Sequence, residues 1–299
     1  MPVLTIHQLS KSYGRIRALD RLDLTVERGQ VVGILGPNGS GKTTTLGIIT
    51  GILHADGGRY EWFDGQWPEH VARRRMGILL ETPNFYPWLS ALENLAIVAH
   101  IKRVPTTPLK DLLELVGLSA RMHSPFRTYS LGMKQRLALA AALVGNPEVL
   151  ILDEPTNGLD PEGIAEVRTL IRQIATEGRT ILMASHILDE VEKICSHVAI
   201  LKKGRLLAAG PVGSLLTDDK ELEVRATDMA RLQALLEGLP EVHALESRDG
   251  LLVARIDPGL HAARINELAF ANGIVLTHLV ERNKSLEEEF LELTRELDG

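Results

Sequence analysis

Eight consecutive residues, Gly36-Pro37-Asn38-Gly39-Ser40-Gly41-Lys42-Thr43, have the types and spacing that bind phosphate. In a G-x-x-x-x-G-K-[ST] loop the glycines let backbone N–H groups turn inward around phosphate oxygens, the lysine neutralises charge and the hydroxyl ligates Mg²⁺. Lys42 and Thr43 stand at those last two positions. The apolar, β-branched run Val31 to Leu35 before the loop reads as a buried strand, and Thr44 to Ile49 after it suits a helix whose N-terminal dipole adds to the anion site.

Two further apolar runs end in residues able to do chemistry. Val149 to Leu152 ends in Asp153-Glu154-Pro155, and Thr180 to Ala184 ends in Ser185-His186. Mg²⁺ prefers hard oxygen ligands, which suits Asp153, and a carboxylate one residue on can take a proton from an attacking water, which suits Glu154. Seen alone, an Asp-Glu pair before a proline also fits a solvated strand end, and a lone His186 fits a structural hydrogen-bonder. In an open parallel sheet, ligands bind at the carboxyl ends of the strands, so three strands that all end in polar residues point to one shared site.

The elements that must position these groups fit an α/β chain. With 299 residues, 44% apolar and 24% charged, the chain is long enough for one large domain and a small one. A net charge of −6 gives no general attraction for nucleic acid or an anionic membrane, so no nucleic-acid partner is expected. The single cysteine, Cys195, excludes an intramolecular disulfide. The N-terminus lacks a signal-peptide apolar stretch, and the most apolar run, Leu137 to Val144, is too short to span a membrane. A cytoplasmic protein is expected, with any membrane-spanning done by another chain.

Helical spacing over Ser90 to Val104 and Leu109 to Leu118 predicts a helical insertion within residues 84–146. A first domain is expected over 1–217 and an accessory one over 218–299. The second reads as strand (Glu221 to Ala226), helix (Met229 to Leu239), a hairpin of Val242 to Arg248 and Leu251 to Ile256 through Asp249-Gly250, helix (Ala262 to Asn272), strand (Ile274 to Glu281) and a terminal helix (Ser285 to Leu297). That βαββαβ order resembles a ferredoxin-like α+β module.

Taken together the motifs resemble those of the ATP-binding subunits of ABC transporters, from about Val3 to about Leu216. The phosphate loop is followed in register by Tyr129-Ser130-Leu131-Gly132-Met133-Lys134-Gln135, similar to the family's L-S-G-G-Q signature, then Leu150 to Thr156, Gly158-Leu159-Asp160 and His186. The resemblance implies a P-loop NTPase fold with a helical insertion and an antiparallel β subdomain. It also implies ATP and Mg²⁺ as ligands, Tyr13 stacked on adenine, and Ser130 and Gly132 binding the γ-phosphate of ATP held by an opposing subunit. Asp160 resembles the residue that communicates across that interface. Lys42, Glu154 and His186 would then carry hydrolysis.

Leu131 and Met133 depart from the common signature, and Glu81 stands where the family normally has a glutamine touching Mg²⁺, which makes it a further metal-ligand candidate beside Thr43 and Asp153. With Asn84 to Leu89, these departures resemble the bacitracin-resistance and lantibiotic-immunity branch. That branch implies a separate membrane permease, a second copy of this chain or a homologous subunit, export of an antimicrobial peptide or other amphiphile, and a peripheral place on the inner face of the membrane. A soluble ATPase of the same type, uncoupled from transport, and a regulatory nucleotide-binding module are the rival readings; the first commonly carries two ATPase halves or long coiled-coil insertions, neither of which the sequence shows.

Overall fold

The computed structural model describes every residue except 81–82, 216–219, 249, 258, 284–289 and 291–299. Two compact units result, Met1–Pro211 and Val212–Gly299.

The first unit is built on two sheets. An antiparallel sheet of β1 (Pro2–Tyr13), β2 (Ile16–Glu27) and β4 (Gly57–Trp62) has the order β2-β1-β4. The larger sheet holds β3 (Val31–Leu35), β5 (Met76–Leu79), β6 (Val149–Asp153), β7 (Thr180–Ser185), β8 (His197–Lys202) and β9 (Arg205–Pro211) in the order β5-β6-β7-β3-β8-β9. Only the β8–β9 pairing in it is antiparallel. Every residue of β3, β6 and β7 is buried, which explains their continuous apolar runs: parallel strands covered on both faces have no polar side to show.

Helix α1 (Lys42–Ile49) joins the two sheets into one core. Its Leu46, Ile48 and Ile49 are buried in the same cluster as Leu4, Ile6 and Leu22 of the antiparallel sheet and Ile151 and Leu182 of the parallel one. Each such side chain contributes roughly 1.5–3 kcal/mol by leaving water. Around the sheets lie α2 (Glu69–Arg74), α3 (Ala91–Lys102), α4 (Leu109–Leu115), α5 (Leu131–Leu143), α6 (Pro161–Thr176) and α7 (Leu188–Ile194).

Helices α3 to α5 lie between β5 and β6 in the chain. Ser90 starts α3 through a reciprocal capping box, its Oγ accepting from Glu93 N while Glu93 Oε2 accepts from Ser90 N at 2.7 Å. The helix stops at Arg103, in the left-handed region at φ 57°, two residues short of Pro105. It therefore ends earlier than its apolar spacing suggests, because the residue before a proline disfavours helix. Likewise α4 stops before Gly117, at φ 66°.

After α8 (Val212–Leu215), the second unit runs β10 (Lys220–Ala226), α9 (Met229–Glu237), β11 (Val242–Arg248), β12 (Leu251–Ile256), α10 (Ala262–Ala271) and β13 (Leu276–Asn283). Its sheet order is β11-β12-β10-β13 with every pair antiparallel. Alternation sets the core: Leu222, Val224, Leu252, Ala254 and Ile256 face α9 and α10, where Leu232, Leu236, Ile265 and Ala269 are buried. The hairpin's Asp249, and the expected terminal helix apart from Phe290, lie outside the described residues.

Candidate nucleotide site

Strand order decides what meets at the carboxyl edge of the parallel sheet. Because β7 lies between β3 and β6, the loop after β3, Glu154 after β6 and His186 after β7 sit at neighbouring strand ends. The loop itself needs glycine at position 41, where φ is 108° and a Cβ would stand 2.6 Å from the Ala18 carbonyl oxygen. Gly41 is also the N-cap of α1 and offers no side-chain cap. The first-turn N–H groups of α1 are thus left for an anion rather than taken up internally.

The loop is braced from behind. Ser40 N donates to Pro37 O at 3.1 Å, Gly204 N donates to Ser40 O at 3.0 Å, and Asp20 N donates to Gly204 O at 2.8 Å. Asp20 in turn accepts from Arg205 Nε at 2.7 Å. That hydrogen bond, with the nearby charges of Arg17, Arg205 and Arg21, holds the Asp20 carboxyl below the usual carboxylate range despite its desolvation.

Lys42, Glu154 and His186 form the centre. Lys42 Nζ donates to Gly36 O at 2.8 Å and lies 3.7 Å from Glu154 Oε1. On the other side His186 Nδ1 is 2.8 Å from Glu154 Oε2. An ionised carboxylate can only accept, so Nδ1 carries the proton and Nε2 is left to the cleft. Glu154 itself has φ 47°, a conformation that a non-glycine residue adopts at a cost of about 1–3 kcal/mol. Its N–H, donating to Ala184 O at 2.9 Å, fixes the turn that aims the carboxylate between Lys42 and His186.

A cleft of about 520 Å³ opens over these groups, lined by Tyr13, Asn38, Gly39, Ser40, Gly41, Lys42, Thr43, Thr44, Asn157, Glu154 and His186 with Ile16 and Ala18. Tyr13 is 46% exposed, and Lys11 Nζ lies 5.6 Å from its ring centroid. Such a half-open ring is available for stacking. A cavity of about 290 Å³ shares Thr43, Glu154 and Asn157 with the cleft and adds Pro83, Leu131, Gln135 and Asp153. The Thr43 hydroxyl and the Asp153 carboxylate are hard oxygen donors of the kind Mg²⁺ takes. Among the described residues no group of three or more His, Cys, Asp or Glu side chains could hold a metal. Two protein oxygens suit an ion that keeps waters and takes its other ligands from phosphates.

Other expected site residues lie apart. Gly36 and Pro37 do not line the cleft; Gly36 serves through its carbonyl, which receives Lys42. Ser130, Gly132 and Asp160 line neither the cleft nor the cavity. Each of the two polar ones caps a helix: Ser130 Oγ accepts from Met133 N at 3.3 Å at the start of α5, and Asp160 Oδ1 accepts from Gly163 N at 2.9 Å at the start of α6. Before Ser130, Tyr129 is anchored by donating to Arg121 O at 2.6 Å, and burial raises its hydroxyl pKa. Glu81 lies outside the described residues. Asn157 and Gln135, the latter at the end of the signature-like segment, also line the cavity. Gln135 shares a helix face with Leu131, four residues earlier, but that spacing alone does not separate a site residue from a packed one.

Family comparison agrees with this geometry. The family model described as ABC transporter matches residues 19–157, and one described as a domain of unknown function (DUF8746) matches residues 220–287. The bacitracin transport ATP-binding protein BcrA of Bacillus licheniformis is 37% identical, over 97% of this chain and 97% of the relative. The lantibiotic transport ATP-binding protein SrtF of Streptococcus pyogenes is 38% identical, over 69% of this chain and 89% of its own length. Among solved structures, a dimeric post-hydrolysis ATP-binding cassette bound to ADP and Pi superposes with a TM-score of 0.63 at 25% identity, covering 70% of this chain and 98% of the cassette.

The chain belongs to the ATP-binding subunits of ABC transporters. It is an ATPase subunit of a transporter. Among the described residues no helix is long and apolar enough to cross a membrane.

Proposed function

We propose that this subunit energises export of an antimicrobial peptide or a comparable amphiphile, held to the inner face of the membrane through its permease. Support for the substrate class comes from the full-length likeness to a bacitracin transport subunit and the partial likeness to a lantibiotic transport subunit. The observation that carries the chemistry is the placement of Glu154 between Lys42 Nζ and His186 Nδ1.

In this reading ATP lies in the cleft with its adenine on Tyr13 and its phosphates over Gly39 to Thr44. Thr43 and Asp153 hold Mg²⁺, which when bound neutralises phosphate charge. Glu154 accepts a proton from the attacking water, and His186 fixes the carboxylate and so holds the water's geometry at the terminal phosphate. Lys42 stabilises the charge that gathers on the transferring phosphoryl group. Ser130, Gly132 and Asp160, which line no part of this chain's own cleft, serve the ATP of the opposing copy: the α5 N-terminus brings dipole and N–H groups to its γ-phosphate. Glu81 is retained as a metal-side residue on its sequence position.

Steady-state ATPase of the Glu154→Gln protein is the test. Loss of the general base is expected to lower kcat by about 10²–10⁴-fold with ATP binding retained. A wild-type rate would remove Glu154 from the mechanism.

A further inference from the structure

Strand β2 carries a bulge at Asp20 and Arg21. Strands β1 and β2 are paired at Lys11 with Leu19 and again at Leu9 with Leu22, so two residues of β2 stand opposite the single Ser10 of β1. Arg21 takes φ 52°, a left-handed conformation that strains a non-glycine residue, and its N–H donates to Ser10 Oγ at 3.1 Å. In a regular strand, neighbouring side chains point to opposite faces. The bulge instead brings these two together, with Arg21 Nε 3.5 Å from Asp20 Oδ1.

Two more guanidinium groups meet the same carboxylate. Arg17 Nη2 lies 3.1 Å from Asp20 Oδ1, and Arg205 of β9 holds Oδ2 through Nε and Nη2, each at 2.7 Å. Among the described residues none of the three arginines pairs with a second acid, so one carboxylate is shared by three cations. The Asp20 side chain is only 4% exposed, whereas each arginine side chain is more than half exposed. The carboxylate therefore anchors the guanidinium groups from the protein side and leaves their outer N–H groups to solvent. Two positive charges remain uncompensated there, on a chain whose net charge is −6. Anchored guanidinium forks with surplus charge suit a phosphate group, which takes paired, charge-assisted hydrogen bonds from arginine.

We propose that Arg17, Arg21 and Arg205 form a second anion site, which takes a phosphate group and lies outside the nucleotide cleft. None of the three lines that cleft. The site bridges β2 and β9, and its anchor is joined to the phosphate loop by two backbone bonds, Asp20 N to Gly204 O and Gly204 N to Ser40 O. The strain at Arg21 is then the cost of aiming a third guanidinium group at a carboxylate that already has two.

The test uses the full chain saturated with ADP and Mg²⁺, so that the cleft is filled. Binding is measured to inorganic phosphate by calorimetry, and to phosphatidylcholine vesicles with and without phosphatidic acid by co-sedimentation. The comparison is with the double variant Arg17→Gln, Arg21→Gln, which keeps the Arg205–Asp20 pair. Wild type should bind at least one phosphate source, and the double variant should bind it at least about tenfold more weakly. Binding to free phosphate alone identifies a soluble phosphate as the ligand. Binding to phosphatidic acid vesicles but not to phosphatidylcholine alone identifies a lipid headgroup. No binding in either arm overturns the proposal, as does binding that the double variant leaves unchanged. If the double variant does not fold, Arg17→Gln alone, which leaves the bulge intact, decides by the same measurement.

Discussion

Glu154 and Ser130 are both polar residues at the ends of elements, and the structure treats them in opposite ways. Glu154 is tied down within the chain, by a backbone bond to Ala184, by His186 Nδ1 and by the nearby Lys42. Ser130 is exposed, and among the described residues its side chain bonds only to Met133 N as the N-cap of its own helix, next to Leu131 at 44% exposure. The phosphate side is organised by contacts within the chain. On the signature side, Ser130 and Gly132 line neither the cleft nor the cavity. The proposed function assigns the open side to a second copy, and a solved cassette similar to this chain is dimeric.

The largest effect should come from the organised side. Lys42→Ala removes the cation that lies between the loop carbonyl and Glu154, and ATPase activity is expected to fall by at least about 10²–10³-fold, with nucleotide affinity lost alongside it. Fluorescent-nucleotide titration beside the ATPase assay checks both; activity within a few-fold of wild type would break the comparison at its stronger end. For His186→Ala the loss should be about 10²-fold in kcat with ATP affinity nearly unchanged, because the histidine holds Glu154 rather than the loop. A rise in KM with kcat preserved would place His186 in binding alone.

Ser130→Ala probes the open side and should act least within one subunit. Loss of the cap costs about 1 kcal/mol of stability, visible as a small downward shift in melting temperature. Binding of ATP to isolated subunits should not change, while steady-state hydrolysis, which needs both halves, should drop about tenfold for a lost interaction of roughly 1.4 kcal/mol. Weaker ATP binding by monomeric Ser130→Ala would mean that Ser130 serves its own cleft.

Much of this arrangement is legible in the sequence because the site sits where chemistry and burial coincide. Val31 to Leu35, Val149 to Leu152 and Thr180 to Ala184 are continuous apolar runs because their strands are buried on both faces, and the residues that follow them mark the ligand edge. Helix α1 starts at Lys42 rather than Thr44 because Gly41, not a polar side chain, ends the loop. Other features leave weaker traces. The 12-residue strands β1 and β2 carry several register shifts, which break the alternation that reveals a half-buried strand. The place of β7 between β3 and β6 depends on strand order, which no local pattern encodes. That Asn157 and Gln135 line the cavity is hidden for a related reason, because the cavity exists only once distant segments meet.

The central claim is that the organised half is incomplete without the exposed half of another copy. Sedimentation velocity of Glu154→Gln, with and without ATP and Mg²⁺, tests it directly. The account predicts a monomer without nucleotide and a stable dimer with ATP, abolished when Ser130 and Gly132 are replaced by bulky residues in the same chain. A Glu154→Gln protein that stays monomeric at saturating ATP, or that dimerises equally well with the Ser130 and Gly132 replacements, would contradict it.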